Sequence, residues 1–269
     1  MDDMHMKDRG IFSSLTEPVS VKRNHMQSNK ICERCGKPIQ YIYKKFRGKE
    51  RRFAVTCSCI LERKKSEKRI SKEQDIIFAL KARGFSSGIN ATMTLKTWKD
   101  IGIEEQLDKY RENIKLDKKN WLYLCGDNGL GKTHMAYALT RQIAVDHLWE
   151  PAAIQWAEYC SKMQQSYENN FIENEWKIVR EVRILMIDDL DKKLASPGAM
   201  GQLYELIDYR YRFNIPTILT ANHTINELKK LWIKDESIKD LGKAIISRIK
   251  GCATEIKFTG KDYRTEKNI

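Results

Sequence analysis

From Asn120 onward the chain alternates short apolar runs with longer amphipathic ones. Trp121-Leu122-Tyr123-Leu124-Cys125 has the length and content of a buried strand, and Thr133 to His147 carries apolar residues at helical spacing. The same alternation predicts strands at 121–125, 152–156, 182–188, 215–221 and 252–258. It predicts helices at 133–147, 157–168, 199–212, 224–232 and 239–249. Strand and helix taken in turn imply an α/β fold, a parallel sheet flanked by helices. The stretch between Trp156 and Glu181, with Trp176 and many charges, reads as an insertion that could face nucleic acid.

Ahead of this region the pattern changes. Residues 1–29 are polar without sustained periodicity, as in a flexible arm. Leu61 to Arg83 reads as a charged helix whose apolar positions are Ile70, Ile76, Ile77 and Leu80, and Gly84, Ser86, Ser87 and Gly88 break it. A helix from about Ile103 to Ile114 leads into the first strand. The expected organisation is an arm (1–29), a cysteine-bearing module with a basic helix (30–85), a linker and helix (86–119), and an α/β domain (120–269).

Between the strand at 121–125 and the helix at 133 lies Gly126-Asp127-Asn128-Gly129-Leu130-Gly131-Lys132-Thr133, a complete G-x-x-x-x-G-K-[ST] loop. Glycines let successive N–H groups converge on phosphate, and the helix that follows adds its positive N-terminal end. Lys132 is expected at the β- and γ-phosphates, and the Thr133 hydroxyl on Mg²⁺. The loop predicts binding of a nucleoside triphosphate, ATP.

Two later strands end in polar residues that suit the same site. Val182-Arg183-Ile184-Leu185-Met186-Ile187 delivers Asp188, expected at Mg²⁺, and Asp189, expected to polarise the attacking water. Ile215 to Ala221 ends in Asn222, which either senses the γ-phosphate or starts a turn and caps the helix at Thr224.

Four of seven cysteines, Cys32, Cys35, Cys57 and Cys59, fall within 28 residues as C-x-x-C and C-x-C. Two thiolate pairs can close a tetrahedral zinc site, and Tyr41-Ile42-Tyr43 and Arg52-Phe53-Ala54-Val55 read as the two strands of a zinc ribbon. With all four positions filled by protein, Zn²⁺ there would be structural. The alternative is a redox pair or free thiols, without the βαβ context such a pair normally has. Cys125, Cys160 and Cys252 sit among apolar residues and are expected to be buried.

The net charge is +13, and 28 Lys/Arg against 16 Asp/Glu place almost all of it in residues 1–119. Residues 120–269 hold 21 against 20. A basic segment beside a near-neutral domain suits an acidic partner such as nucleic acid, or is a solvated face. No apolar stretch is long enough for a membrane span, and the N-terminus lacks a secretory pattern, so no membrane partner and a cytoplasmic location are expected.

With these motifs in order, the chain resembles the DnaC/DnaI helicase loaders of the AAA+ ATPases, including phage versions. The likeness covers roughly residues 90–265 and rests on GDNGLGKTHMA, ILMIDDLD, ILTANH, the run Lys243 to Ile249, and Phe258 to Arg264. A zinc module ahead of the ATPase resembles the DnaI arrangement. The resemblance implies an AAA+ P-loop fold without a full lid domain, self-association in the ATP state, and Arg248 as an arginine finger acting on a neighbouring subunit. It implies Arg264 as a second nucleotide-sensing arginine. Many relatives carry Glu at the position of Asp189, so the shorter side chain implies slow hydrolysis, and many carry Gly at the position of Asp191.

The implied partners are a replicative hexameric helicase and single-stranded DNA. Two other readings share the core motifs: an IstB-type transposition ATPase, whose N-terminal region lacks a cysteine cluster, and a nucleotide-switched DNA-binding adaptor with little turnover.

Overall fold

The computed structural model describes residues 30–46, 49–86, 88–98, 102–114, 118, 120–165, 171–192, 196–260 and 262–263. The expected arm (1–29) and Arg264 lie outside the described residues. The chain forms two compact units, residues 1–70 and 71–269.

In the first unit, β1 (Tyr41–Phe46) pairs antiparallel with β2 (Lys49–Ala54), Tyr41 opposite Ala54. The preceding knuckle closes by Gly36 N donating to Cys32 O (2.8 Å) and Cys32 N to Lys37 O (2.8 Å). Gly36 has φ +68, a left-handed turn position that favours glycine. Helix α1 (Ser58–Ala82) starts at the second cysteine pair, with Ile60 N and Leu61 N donating to Cys57 O. The short C-x-C spacing therefore straddles the helix start, with Cys57 just ahead of α1 and Cys59 in its first turn, their sulfurs 3.3 Å apart.

The end of α1 belongs to the second unit and corrects the expected apolar face. Ile76 and Ala79 are buried and Leu80 is half-buried, whereas Ile70 and Ile77 are 53% and 52% exposed. Positions 76, 79 and 80 share one helix face, and each of the other two lies about 100–120° round from Ile76.

The second unit holds β3 (Trp121–Cys125), β4 (Pro151–Gln155), β5 (Ile184–Asp188), β6 (Thr217–Ala221) and β7 (Ala253–Lys257). They form one parallel sheet in the order β4-β5-β6-β3-β7. Its helices are α2 (Glu104–Asn113), α3 (Lys132–His147), α4 (Trp156–Gln165), α5 (Phe171–Glu181), α6 (Pro197–Arg212), α7 (Ile225–Lys234) and α8 (Lys239–Cys252). This is the parallel sheet flanked by helices that the pattern predicts. Alternate residues of β3 feed opposite faces: Trp121, Tyr123 and Cys125 join one core with α6 and α8, and Leu122 and Leu124 join the other with α3. Cys125, Cys160 and Cys252 are buried, as expected.

Helix α5 is an addition to the expected elements. Its apolar residues Ile172, Trp176 and Val179 recur at helical spacing, and Val179 is buried and Trp176 stacks on Tyr159 at 6.2 Å. The end of α5 is held by Arg210 of α6, which is fully buried. Its guanidinium donates to the carbonyls of Val179, Arg180, Val182 and Pro216 and to Thr217 Oγ1. A buried cation is tolerable because its donors meet otherwise unsatisfied acceptors. Among the described residues, no helix is long and apolar enough to cross a membrane.

Candidate nucleotide site and metal centre

Strands β3, β5 and β6 are adjacent, so their C-terminal ends bring three separate stretches of sequence to one place. The turn from β3 into α3 depends on its glycines, as Gly126 and Gly131 illustrate. Gly126 has φ +136, and a Cβ there would lie 2.4 Å from Phe258 O; Gly131 has φ +84, and a Cβ would lie 2.7 Å from the Trp98 ring. Leu130 is buried and anchors the loop in the core, while Asp127 and Asn128 are exposed.

Lys132 opens α3 and is buried. Its Nζ donates to Asp127 O (2.7 Å) and to Asn222 Oδ1 (3.1 Å). Burial holds its pKa below the usual lysine value, opposed by Asp189, Asp191 and Asp188. Thr133 Oγ1 donates to Asp188 Oδ1 at 2.9 Å, and Thr220 Oγ1 donates to the same oxygen at 2.6 Å. Burial pushes the Asp188 carboxyl above its usual range, partly offset by these hydroxyls.

Asp189 follows with φ +52, uncommon for a residue bearing a side chain. Its N–H donates to Thr220 Oγ1 (2.9 Å), and its Oδ2 meets Lys192 Nζ at 2.5 Å. The two readings of Asn222 differ in what caps α7. Thr224 caps it: Thr224 Oγ1 accepts from Glu227 N, and the Glu227 carboxylate accepts from Thr224 N (2.8 Å). Asn222 is left with its side chain toward Lys132.

Lys132, Thr133, Asp188, Asp189 and Asn222 thus surround the end of the phosphate loop. A hydroxyl and a carboxylate in direct contact at Thr133 and Asp188 are hard oxygen donors of the kind Mg²⁺ takes. A cavity of about 240 Å³ opens beside them, lined by Gly126, Asp127, Asn222, Lys257 and Phe258. Arg248 is not drawn into this group. It projects from α8 onto α6, with Nη2 donating to Tyr204 Oη (3.1 Å) and its guanidinium 4.7 Å from the Tyr204 ring centre. Although Arg264 is outside the described residues, its neighbours reach the loop: Tyr263 N donates to Gly129 O (3.2 Å), and Asp262 packs on Gly129.

Trp98, Asp191 and Thr220 also touch this site; Trp98 lies outside the quoted motifs, while Asp191 and Thr220 sit within ILMIDDLD and ILTANH without an assigned role. Of the three, Asp191 has a signal in the sequence, as a departure from the glycine that the family resemblance implies there.

In the first unit the sulfurs of Cys32, Cys35, Cys57 and Cys59 all lie within 4.8 Å of one another. Contacts are 3.6 Å for Cys32–Cys59, 3.5 Å for Cys35–Cys57 and 3.3 Å for Cys57–Cys59. Tetrahedral zinc with bonds of about 2.3 Å places its sulfurs about 3.8 Å apart, so the cluster fits that ion. Crowding splits the thiols. Backbone N–H groups of Cys35 and Arg34 bring Cys32 down to about 6, while contact with Cys57 pushes Cys59 up to about 12. A divalent cation would allow all four to ionise.

A parallel five-stranded sheet with a phosphate loop after β3, an acidic end on β5 one strand away and flanking helices defines a P-loop ATPase of the AAA+ kind. The chain belongs to the family of the IstB-like ATP binding protein, whose model matches residues 105–269. Among curated relatives, phage-like element PBSX protein XkdC of Bacillus subtilis is 26% identical over 211 residues, 74% of this chain and 76% of the relative. The replicative helicase loader DnaI of Bacillus subtilis is 22% identical over 166 residues, 60% of this chain and about half (52%) of that protein. The crystal structure of DnaI matches with a TM-score of 0.55 at 24% identity, covering 62% of this chain and 90% of that one. These likenesses agree with the helicase-loader resemblance carried by the motifs.

Proposed function

We propose that this chain is an ATP-dependent helicase loader, which binds a replicative hexameric helicase and delivers it to single-stranded DNA in the cytoplasm. The observation that carries the reading is the four-cysteine, zinc-sized site in a basic N-terminal unit of an AAA+ ATPase. A relative named as a replicative helicase loader supports it.

In this reading Gly126 to Thr133 hold the triphosphate, and Thr133 and Asp188 hold Mg²⁺, which draws off charge from the phosphates. Lys132 neutralises the γ-phosphate, Asn222 senses it, and Asp189 orients water. Arg248 completes the site of a neighbouring copy in the ATP state, and Arg264 adds a second arginine. The Lys192–Asp189 pair, 2.5 Å apart, supports slow turnover, because the carboxylate must leave the ammonium before it can take a proton.

The test is affinity capture from host extract with ATP, compared with ADP. Recovery of a hexameric helicase in the ATP state supports loading. The family match favours a second reading, an IstB-type transposition ATPase, and recovery of a transposase in place of a helicase would establish it. ATP binding without turnover, even with DNA, would make the chain a nucleotide-switched adaptor.

A further inference from the structure

The turn after β5 tracks the end of β6 residue by residue. Asp189 N donates to Thr220 Oγ1 (2.9 Å), and Leu190 N donates to Thr220 O (2.9 Å). Asp191 continues the pairing with its side chain. Its Oδ2 accepts from the backbone N–H groups of Asn222 (2.8 Å) and His223 (3.1 Å), and lies 2.6 Å from His223 Nδ1.

All three contacts converge on one oxygen. Oδ1 is buried with no hydrogen-bond partner among the described residues, and the side chain is only 1% exposed. Burying a carboxylate with one oxygen unmatched is unfavourable, so packing alone gives no reason for it. The bonds instead fix the two peptide groups that flank the Asn222 α-carbon. Those peptides set the direction in which the Asn222 side chain leaves the strand, toward Lys132 Nζ at 3.1 Å.

We infer that Asp191 is a positioning residue: it clamps the tip of β6 so that Asn222 stays aimed at the space beyond Lys132 where a γ-phosphate binds. The inference rests on the reading of Asn222 as a nucleotide sensor. His223 braces the clamp from its outer side, its ring 44% exposed. Since the accepted bonds use a single oxygen, an amide can replace the carboxylate, with its carbonyl at Oδ2 and its NH₂ at Oδ1.

The experiment measures the preference for ATP over ADP, as the ratio of their dissociation constants, in the full chain with Mg²⁺. It compares the native chain with Asp191→Ala, Asp191→Asn, Asn222→Ala and the Asp191→Ala/Asn222→Ala pair, with a melting temperature for each. Asp191→Ala is expected to reduce the preference about 5-fold, as Asn222→Ala does, and to add nothing in the Asn222→Ala background. Asp191→Asn is expected to keep the native preference. A merely structural residue would lower the melting temperature and leave the ratio alone.

An unchanged ratio in Asp191→Ala, with a reduced one in Asn222→Ala, overturns the positioning role and leaves the sensor intact. Full additivity in the pair also overturns it. An unchanged ratio in Asn222→Ala, or no native preference for ATP, removes the sensor reading and this inference with it. If Asp191→Ala does not fold, His223→Leu removes one of the three contacts. It should then reduce the preference about 2-fold, only where Asn222 is present, and no effect there overturns the clamp.

Discussion

Arg248 rests on a single oxygen of Asp208, with Nε at 2.8 Å and Nη2 at 2.7 Å. The other oxygen of that carboxylate holds Arg212 Nε at 2.8 Å. Arg248 can therefore swing away without leaving Asp208 bare, because Arg212 remains. Tyr204 and Tyr211 offer aromatic faces at 4.7 and 6.0 Å that support the resting position.

An arginine stored this way predicts a specific complementation. Arg248→Ala should lose about 10³-fold in ATP turnover while the isolated chain still binds ATP. Lys132→Ala should be inactive as well. A mixture of the two variants should recover part of the activity, because one supplies the arginine and the other the nucleotide. Steady-state phosphate release checks this, and a mixture as inactive as its components would remove Arg248 from any shared site.

The cysteine cluster should separate from the nucleotide site in a metal-removal experiment. Purified chain is expected to carry about one zinc, and Cys35→Ser or a strong chelator should remove it. Residues 30–70 should then become protease-sensitive, while ATP affinity stays within about 2-fold of native. Metal analysis and limited proteolysis read the first effect, and nucleotide titration reads the second.

Asp188 should trade stability for function. Burial raises its carboxyl above the unfolded value. In the nucleotide-free chain its ionised form is therefore a penalty that is present above the folded pKa and absent below the unfolded one. Asp188→Asn keeps an oxygen for Thr133 and Thr220 and removes the charge. It should raise the melting temperature at about pH 8, with the gain shrinking toward about pH 5, and should abolish Mg²⁺-dependent turnover. A variant that melts below the native chain at pH 8 would contradict this balance.

Gly84 is more than a helix breaker. It has φ +91, and a Cβ there would lie 2.5 Å from Ala153 O, beside the bond that Ala153 N donates to Arg83 O (3.0 Å). Gly84→Ala should destabilise the second unit by about 2–3 kcal/mol, read as a lower denaturation midpoint with nucleotide roles intact.

Much of this architecture was legible in the chain. The strands were found because a two-sided parallel sheet makes them nearly continuous apolar runs, as in Ile184-Leu185-Met186-Ile187. The loop and strand-end residues were found because their chemistry requires fixed types at fixed spacing. What stayed hidden depends on contacts between distant positions. No local pattern marks Asp191 as the acceptor for Asn222, 31 residues on, or Asp208 as the partner of Arg248, 40 residues on. Helix α5 has a visible stripe, Ile172, Trp176 and Val179 at helical spacing, and it is missed only where the charged stretch 156–181 is read as an insertion. The face of α1 went partly astray because Ile70 and Ile77 are apolar and solvent-facing, and sequence period alone does not rank apolar positions by contact.

The indole of Trp98 has a consequence of a different kind. It lies on Gly131 and meets the rings of His134 (5.7 Å) and Phe258 (5.9 Å) edge-on, while its Nε1 donates to Glu104 (3.0 Å). A fluorophore is thus seated directly against the loop that receives phosphate. Intrinsic emission should shift on nucleotide addition and lose that shift in Trp98→Phe, giving the chain an optical gauge of its own occupancy without any attached dye.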